Sequence, residues 1–492
     1  MAAPTSLSLL QTGIPNLDLI LGGGVPREDV ILVIGMAGTG KTTLCLQTLF
    51  NAATAGENVI YVSTVSEPAT KLLRHIRSFS FYDETLIGKR VFLVNAYPIV
   101  KQSLQAVTDA LVHAVQDHHA SIVVIDGLMS FHDLHPGAPE VRTFIYELGA
   151  TLAAYQCTTI VTSSGAAATA EHQFPEFTMA DGIILLETED VGSQTRRRIR
   201  VRKMRGLDPL LGKHGFRIDD SGVTVYPRLE STFTPSDVGL SPERISTGMP
   251  ELDALLNGGP RANSITVLAG AVGTGKTLAG LQFIVEGAKK GEKGVFVGFR
   301  ETRQQLVDKA RYFQIDLESA LRDGRVEIFQ RAPVDLDLDR ITWEILQTVE
   351  RVAPRRLVID SVGELEEATS AARPARGYMA ALAGWLHNQR ITALVVKEIP
   401  QVIGPELDFS GTPLAILSEN LVLMRWVEFR SEMYRILSIL KMRDSAYDAS
   451  IRQYTITDRG LHVLQQIETA EGLLTGIARI TPEWRRRPRR EE

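Results

Sequence analysis

Gly35-Met-Ala-Gly-Thr-Gly-Lys-Thr42 decides the fold of this chain, and it recurs 235 residues later as Gly270-Ala-Val-Gly-Thr-Gly-Lys-Thr277. Each copy follows an apolar run and precedes a stretch with helical periodicity, which is the strand, glycine-rich loop and helix of a P-loop. Glycines there let backbone N–H groups surround a phosphate chain, and the helix N-terminus adds positive potential. Two matched copies predict two nucleotide-binding domains.

The residue types within the loops predict their roles. Lys41 and Lys276 are expected to reach the outer phosphates, while the hydroxyls of Thr42 and Thr277 are expected to ligate Mg²⁺. The predicted nucleotide contacts are the loop residues and those that open the next helix: Gly35, Gly38, Thr39, Gly40, Lys41, Thr42, Thr43, Gly270, Gly273, Thr274, Gly275, Lys276, Thr277 and Leu278.

The repeat extends well beyond the loops. The lead-in Thr12-Gly-Ile-Pro-Asn-Leu-Asp18 returns as Thr247-Gly-Met-Pro-Glu-Leu-Asp253. Downstream, each half has an apolar run that ends in an aspartate, Asp126 or Asp360. At the end of a central parallel strand such an aspartate can hold the Mg²⁺ shell. Alternatively, it merely caps the following helix.

Alternation of apolar runs with amphipathic stretches such as 141–154 and 375–386 predicts the fold class. We expect an α/β protein with tandem RecA-like P-loop domains, each a mostly parallel twisted sheet flanked by helices. A polar, Pro- and Gly-containing linker at 232–242 separates the halves. The predicted domains are residues 1–235 and 236–470, followed by a basic tail at 471–492 that is either solvated and disordered or contacts an acidic partner or nucleic acid.

Composition narrows the class of protein. The 492 residues are 44% hydrophobic and 23% charged, with a net charge of −5, as in ordinary globular proteins. No apolar run approaches the ~18 residues of a membrane span, and no signal pattern opens the chain, so we expect a cytoplasmic protein without membrane contact. Cys45 and Cys157 are predicted to be buried thiols, not a disulfide. The acidic balance argues against nucleic acid as a partner.

Two glutamates are the candidates for orienting the attacking water. The halves align without gaps after the strand that follows each P-loop helix, so Ser66-Glu67 matches Arg300-Glu301. A carboxylate at this place can position water for attack on the outermost phosphate. The alternative is that both are solvated surface glutamates. Ser78, in an aligned stretch a little further on, is counted among the predicted nucleotide contacts.

A second recurring pattern is basic. Lys203-Met-Arg205 in the first half corresponds to Lys441-Met442-Arg443 in the second, and both lie too far along their halves to belong to the same P-loop. They are predicted to contact a phosphate bound by a neighbouring subunit, with Arg205 and Arg443 acting like arginine fingers. An ordinary basic β-turn is the other interpretation. If the first holds, the active form is a ring.

These motifs, in this order in both halves, resemble the KaiC family of RecA-superfamily ATPases. The resemblance runs from Thr12 to about residue 460 and includes Trp426-Val-Glu-Phe-Arg-Ser-Glu-Met433, which leads into the second Lys-Met-Arg segment. The family implies ATP and Mg²⁺ as cofactors and a double-ring homohexamer with nucleotide at subunit interfaces.

The chain departs from the family at two places. The family has adjacent glutamates where this chain has Ser66 and Arg300 before the single glutamates, and Arg300 could pair with Glu301 or contact phosphate. The family's neighbouring phosphorylated serine and threonine correspond to Ala415 and Ile416, which cannot accept phosphate. The nearby hydroxyl residues are Ser410, Thr412 and Ser418, and none of them has the family's register. We therefore expect no clock-type autophosphorylation.

The sequence leaves three functions to weigh. The leading prediction is a slow ATPase with a regulatory or signalling role, acting through its tail or a docked protein partner. A non-hydrolysing scaffold, in which nucleotide only joins subunits, is the second. A DNA-acting motor is the third, disfavoured because no aromatic–basic stacking stretch is present.

Overall fold

The computed structural model of this chain describes residues 7–64, 69–134, 138–165, 179–191, 194–334, 336–369, 374–399, 418–429, 431–466, 470–471 and 479–480. The chain divides into two units, Met1–Thr232 and Phe233–Glu492. Residues 233–241, within the predicted linker, form no helix or strand. Each unit is described by itself below.

The first unit alternates strands with helices. Its strands are β1 (Leu9–Leu10), β2 (Val25–Pro26), β3 (Val30–Gly35), β4 (Val59–Ser63), β5 (Val91–Asn95), β6 (Ile122–Asp126), β7 (Thr158–Ser163), β8 (Gly182–Val191), β9 (Gln194–Met204), β10 (His214–Asp219) and β11 (Gly222–Tyr226). Its helices are α1 (Leu17–Leu21), α2 (Lys41–Thr54), α3 (Ala69–Ile76), α4 (Tyr97–Val100), α5 (Leu104–His118), α6 (Met129–Leu134), α7 (Ala138–Ala154) and α8 (Leu229–Thr232).

The main sheet of this unit has the order β11-β10-β9-β8-β3-β7-β6-β4-β5. Strands β8 to β5 in that order are parallel, whereas β9, β10 and β11 continue the sheet as antiparallel neighbours. The P-loop strand β3 is therefore central, between β7 and β8. Loops that follow the parallel strands all emerge at the same sheet edge, where ligands bind in open α/β folds.

Both faces of this sheet are covered. Ile31 and Val33 of β3 belong to a hydrophobic core that includes α2 residues, whereas Leu32 and Ile34 belong to a second core with residues of α5 and α7. Side chains alternate along a strand, so a continuous apolar run supplies both cores. A continuous run of five apolar residues is therefore the pattern of a strand that is covered on both faces.

The second unit repeats the arrangement. Its strands are β12 (Ile265–Gly270), β13 (Gly294–Gly298), β14 (Val326–Gln330), β15 (Arg356–Asp360), β16 (Thr392–Glu398), β17 (Asn420–Phe429), β18 (Glu432–Met442), β19 (Arg452–Thr457), β20 (Gly460–Gln466), β21 (Ala470–Glu471) and β22 (Arg479–Ile480). Its helices are α9 (Pro250–Leu255), α10 (Lys276–Lys289), α11 (Arg303–Tyr312), α12 (Leu317–Arg322), α13 (Leu338–Val352), α14 (Val362–Glu367) and α15 (Ala375–Asn388).

Its main sheet has the order β14-β13-β15-β16-β12-β17-β18-β19-β20, which is the first sheet with corresponding strands in corresponding places. The predicted fold class, two mostly parallel sheets flanked by helices, is confirmed. Cys45 and Cys157 are free and buried. Within the described ranges, no helix is long and apolar enough to cross a membrane.

Candidate nucleotide-binding sites

The first P-loop connects the central strand β3 to helix α2. Gly40, the residue before the helix, has φ 104°, and an added Cβ would lie 2.4 Å from the Ile218 side chain. Only glycine adopts this left-handed backbone without strain. Lys41 Nζ donates hydrogen bonds to the carbonyl oxygens of Gly35 (2.7 Å) and Met36 (3.0 Å). The ammonium is thus held over its own loop.

Asp126 at the end of β6 is the polar centre of this pocket. Thr42 Oγ1 donates to Asp126 Oδ2 at 2.7 Å, and Tyr61 OH donates to the same oxygen at 2.5 Å. Thr162 donates to the other carboxylate oxygen. The P-loop hydroxyl and strand-end carboxylate are adjacent because α2 starts beside β6. They line a cavity of about 290 Å³ together with Lys41.

The second P-loop has the same construction. Gly275 has φ 89°, and an added Cβ would lie 2.7 Å from the Ile456 side chain. Lys276 Nζ donates to the Ala271 carbonyl oxygen at 2.6 Å. Thr277 Oγ1 donates to Asp360 Oδ2 at 2.6 Å. These residues line a cavity of about 340 Å³.

Burial leaves the charged groups of both pockets short of solvation. It lowers the pKa of the Lys41 and Lys276 ammonium groups and raises the pKa of the Asp360 carboxyl, whose hydrogen bond from Thr277 opposes the rise. Desolvation disfavours the charged form in each case. A phosphate chain beside the lysine and a cation beside the aspartate would offset this penalty.

Glu301 lines the second cavity, as its predicted role requires. Its carboxylate forms an ion pair with Lys309 of helix α11, which also lines the cavity. Glu67, its sequence counterpart in the first half, and Ser66 lie outside the described residues. The candidate water-orienting position is therefore described in the second unit alone.

Arg300 lines the same cavity, but it does not pair with Glu301. Its Nε donates to Glu364 Oε1 at 2.6 Å, and its NH1 forms an ion pair with Glu398. Pairing with Glu301 was one expectation from adjacency in sequence, and it is wrong. Residues that follow one another at the end of a strand point in different directions, so Arg300 reaches the ends of α14 and β16 while Glu301 reaches α11.

Each Lys-Met-Arg segment lies at the opposite end of the parallel strands from the P-loop of its own unit. Lys203 Nζ donates to the Ala180 carbonyl oxygen at 2.5 Å, and Arg205 NH1 donates to Asp181 Oδ1 at 2.6 Å. Asp181 also accepts from the N–H of Val30, the first residue of β3. The loop follows the other end of that strand, roughly 17 Å away at 3.3 Å per residue.

The second segment has the same location. Lys441 Nζ donates to the Ser418 carbonyl oxygen at 2.5 Å, and Arg443 is exposed next to it. Met442, a predicted nucleotide contact, has its side chain buried in the core of the second unit. None of these segments is brought to the P-loop of its own unit.

The remaining predicted residues differ in whether the structure describes them and in how they relate to the two pockets. Thr43 lies half-buried in the first turn of α2, and Leu278 lines the second cavity. Thr39 and Thr274 donate to loop carbonyls, Met36 O at 2.9 Å and Ala271 O at 2.8 Å. Ser78 is exposed in the turn after α3 and is not among the residues that line the first cavity. Four positions discussed for phosphorylation lie outside the described residues: Ser410, Thr412, Ala415 and Ile416.

Sequence reasoning missed several pocket residues. Tyr61 and Thr162 reach Asp126 from the two strands beside β6, and Lys309 and Glu398 reach the glutamate and arginine of the second pocket. Strand order brings Tyr61, Thr162 and Glu398 there from 36 to 98 residues away, whereas Lys309 is 8 residues from Glu301 in sequence. The only available signal for the first three was their place in or next to predicted parallel strands.

The donor set fits a magnesium–nucleotide complex. Mg²⁺ is usually bound by one or two carboxylates together with substrate phosphates and water. Each pocket offers one threonine hydroxyl beside one strand-end carboxylate, with the P-loop lysine on the adjacent loop. The residues that would hold the metal are Thr42 with Asp126 and Thr277 with Asp360.

A glycine-rich loop between a central parallel strand and a helix, with an aspartate at the end of a nearby parallel strand, defines a P-loop ATPase domain of the RecA-like class, here present twice. The protein family with the description "ATPase: KaiC" matches residues 10–230 and again residues 245–468. The chain therefore belongs to the KaiC family and carries its ATPase domain in both halves.

Named relatives match along nearly the whole chain. The circadian clock protein KaiC3 from Synechocystis is 28% identical over 487 residues, which cover 96% of this chain and 95% of the relative. The circadian clock oscillator protein KaiC from Picosynechococcus is 27% identical, covering 95% and 92%. That from Synechococcus elongatus is 26% identical, covering 97% and 93%.

Proposed function

We propose that this chain is a slow, regulatory ATPase that binds ATP with Mg²⁺ at both P-loops. The observation that carries the proposal is the hydrogen bond from P-loop threonine to strand-end aspartate, present in both units at 2.7 Å and 2.6 Å. A merely helix-capping aspartate would not need a partner on the P-loop. Lys41 and Lys276 bind the outer phosphates, and Glu67 and Glu301 orient the attacking water.

Bound Mg²⁺ would neutralise developing charge on the phosphates. The chain's own contribution is to hold the phosphate chain on backbone N–H groups and to position water in a partly desolvated pocket. In the second unit the glutamate is paired with Lys309, which competes with that task. Hydrolysis there is accordingly slow.

The assembly we propose is a double-ring homohexamer in which nucleotide lies between subunits. Its support is the placement of Arg205 and Arg443 at the sheet edge opposite their own P-loops, so that a nucleotide they contact is not the one bound by the P-loop of their own unit. Heterologous contacts of this kind generate rings when the rotation between subunits closes. We place the protein in the cytoplasm, with a protein signalling partner, and without clock-type autophosphorylation or a nucleic-acid partner.

A non-hydrolysing scaffold is the second candidate. It is favoured by one observation, namely that both charged residues after β13 in the second pocket are already paired, Arg300 with two glutamates and Glu301 with Lys309. In that case the bound nucleotide would stabilise contacts between subunits and would dissociate without being hydrolysed.

Measuring ATP turnover and particle mass together tests these proposals. Lys41→Ala should weaken nucleotide binding and ring assembly, whereas Glu67→Gln should keep the ring and lower turnover by about a hundredfold. Lys276→Ala and Glu301→Gln test nucleotide binding, ring assembly and turnover in the same way for the second unit. Lys89→Ala, an exposed lysine, is the matched control. Unchanged turnover in both glutamate variants would favour the scaffold, and rings that form without nucleotide would refute interfacial binding.

A further inference from the structure

Arg300 lies between two carboxylates of unequal burial in the second pocket. The Glu364 side chain is 4% exposed, whereas that of Glu398 is 29% exposed. The Nε atom of the guanidinium contacts the buried glutamate, and a terminal nitrogen contacts the more exposed one. The contact of Nε with Glu364 is therefore harder to exchange than the contact of the terminal nitrogen with Glu398.

Glu364 is a fixed partner. Its other oxygen, Oε2, accepts a hydrogen bond from Ser361 Oγ at 2.6 Å, so both oxygens are bound. Breaking a buried, fully hydrogen-bonded ion pair is strongly unfavourable, because it leaves an uncompensated charge. Glu398 lies at the end of β16 near solvent, where an ion pair contributes little. The contact with Glu398 is the one that another anion can replace.

The guanidinium also shares a cavity with the P-loop lysine, because Arg300, Glu398 and Lys276 all line the second pocket. A guanidinium offers a planar fork of donors that matches phosphate oxygens. Two cations therefore face the place where the phosphate chain is proposed to end.

We propose that Arg300 exchanges Glu398 for the outermost phosphate of a nucleoside triphosphate while Glu364 keeps hold of Nε. The second site thereby prefers a triphosphate over a diphosphate. This inference rests on nucleotide binding at the second P-loop. The first half has Ser66 at the aligned position and lacks the cation, so the preference belongs to the second site.

The chain supplies a reporter for this site. All four tryptophans lie in the second unit: Trp343, Trp385, Trp426 and Trp484. Trp426 Nε1 donates a hydrogen bond to the carbonyl oxygen of Val272 in the P-loop, at 3.1 Å. The test titrates the full chain with a non-hydrolysable ATP analogue and with ADP, each with Mg²⁺, and follows tryptophan fluorescence. Equilibrium dialysis of the same nucleotides with the full chain and with Lys276→Ala gives second-site binding by difference, without a fluorescence signal.

Arg300→Ala should weaken binding of the triphosphate analogue by about tenfold to a hundredfold, the usual contribution of a charge-assisted hydrogen bond, and change ADP binding by about twofold or less. Retained ADP binding also reports that the variant is folded. Glu398→Gln removes the competing anion and should tighten triphosphate binding more than diphosphate binding. Arg303→Ala, an exposed arginine three residues on, is the control.

Equal effects of Arg300→Ala on both nucleotides, or no effect on either, would overturn the inference. Lys276→Ala separates this failure from a failure of the proposed function. If Lys276→Ala abolishes binding while Arg300→Ala leaves the triphosphate preference intact, the second site binds nucleotide and only the role of Arg300 is wrong. If Lys276→Ala leaves binding to the second unit unchanged, the proposed second nucleotide site itself is wrong.

Discussion

Thr277 and Asp360 are joined by a hydrogen bond of 2.6 Å that links the first turn of α10 to the end of β15. Thr42 and Asp126 repeat this relationship at 2.7 Å between α2 and β6. A hydroxyl and a carboxylate fixed next to each other are the two protein ligands that we propose for Mg²⁺, with phosphate oxygens and water expected to complete the site.

Removing the hydroxyl should raise the Mg²⁺ requirement. Thr277→Ala is expected to increase the Mg²⁺ concentration for half-maximal nucleotide binding at the second site by about tenfold, because one metal ligand is lost and Asp360 loses a donor. Thr277→Ser keeps the hydroxyl and is the matched control. The measurement is a Mg²⁺ titration at fixed nucleotide. The same Mg²⁺ dependence in both variants would contradict a metal role for this residue.

Lys309 is predicted to restrain the second site. Lys309→Met frees the Glu301 carboxylate from its ion pair and should increase turnover by several-fold, up to about tenfold, in a Glu67→Gln background that keeps the ring and lowers first-site turnover. Lys309→Arg preserves the pair and should leave turnover near its starting value. A fall in turnover on Lys309→Met would mean that the lysine positions the glutamate.

A mixing experiment checks whether Arg205 acts on a neighbouring subunit. Glu67→Gln keeps the ring but lacks the proposed water-orienting carboxylate, and Arg205→Ala lacks the finger, so each variant alone should have little first-site turnover. In an equimolar mixed ring, about a quarter of the heterologous interfaces combine an intact glutamate with an intact arginine. Turnover should recover to about that fraction, measured in a Glu301→Gln background. Mixing without recovery would place Arg205 outside the neighbour's site.

Asp29 makes stability depend on pH. Burial raises the pKa of its carboxyl to about 6, and the negative charge of Asp181 adds to the rise. Since the folded-state pKa lies above the ordinary aspartate value of 3.8, the group favours folding most below about pH 4, and this contribution is lost as pH rises towards 6. Asp29→Asn should therefore stabilise the protein above about pH 7 by on the order of 1 kcal/mol after allowance for solvent screening.

Urea unfolding at about pH 5 and about pH 7.5 measures this effect, which should be smaller at the lower pH. Asp117→Asn, at an exposed position of α5, is the control and should change stability equally at both. A gain for Asp29→Asn that does not vary with pH would contradict the assignment.

Arg356 is predicted to stabilise the second unit. It is fully buried, its Nε lies 2.5 Å from Glu292 Oε2, and its NH1 donates to the carbonyl oxygens of Ser246 and Phe283. Arg356→Met should lower the free energy of unfolding by about 3–5 kcal/mol, because two carbonyls lose their donor and the Glu292 carboxylate keeps only its longer contact with Arg355.

The control for that change is Arg351→Met, which removes an exposed, solvent-screened ion pair with Glu327 and should change the free energy of unfolding far less. Tryptophan fluorescence follows unfolding of the second unit specifically. Similar losses for the two variants would show that the buried arginine contributes no more than a surface one.

The fold was largely predictable because its signal is local. A continuous apolar run such as 30–34 is compatible with a central strand covered on both faces, and the loop that follows needs glycines at positions with positive φ. The same pattern 235 residues later indicated the second domain. Strand-end aspartates could be placed beside the loops because parallel strands end at one sheet edge.

The site was predictable only where its residues carry a motif. Tyr61, Thr162, Lys309, Glu364 and Glu398 belong to no motif and contact their pocket partners across 8 to 98 residues. Which side chains meet at a sheet edge depends on strand order, and strand order is not encoded in any short segment. Arg300 is the clearest case, since its neighbour in sequence is not its partner in space.

The sequence by itself determined that this is a tandem P-loop protein of the KaiC family, since the loop, the strand before it and the aspartate downstream are constrained by backbone geometry and phosphate chemistry. Only the tertiary structure decided which charged side chains pair with each other in the second pocket and where the Lys-Met-Arg segments lie. Those features arise from the packing of distant strands and helices, which sets distances between ionisable groups that no local pattern specifies.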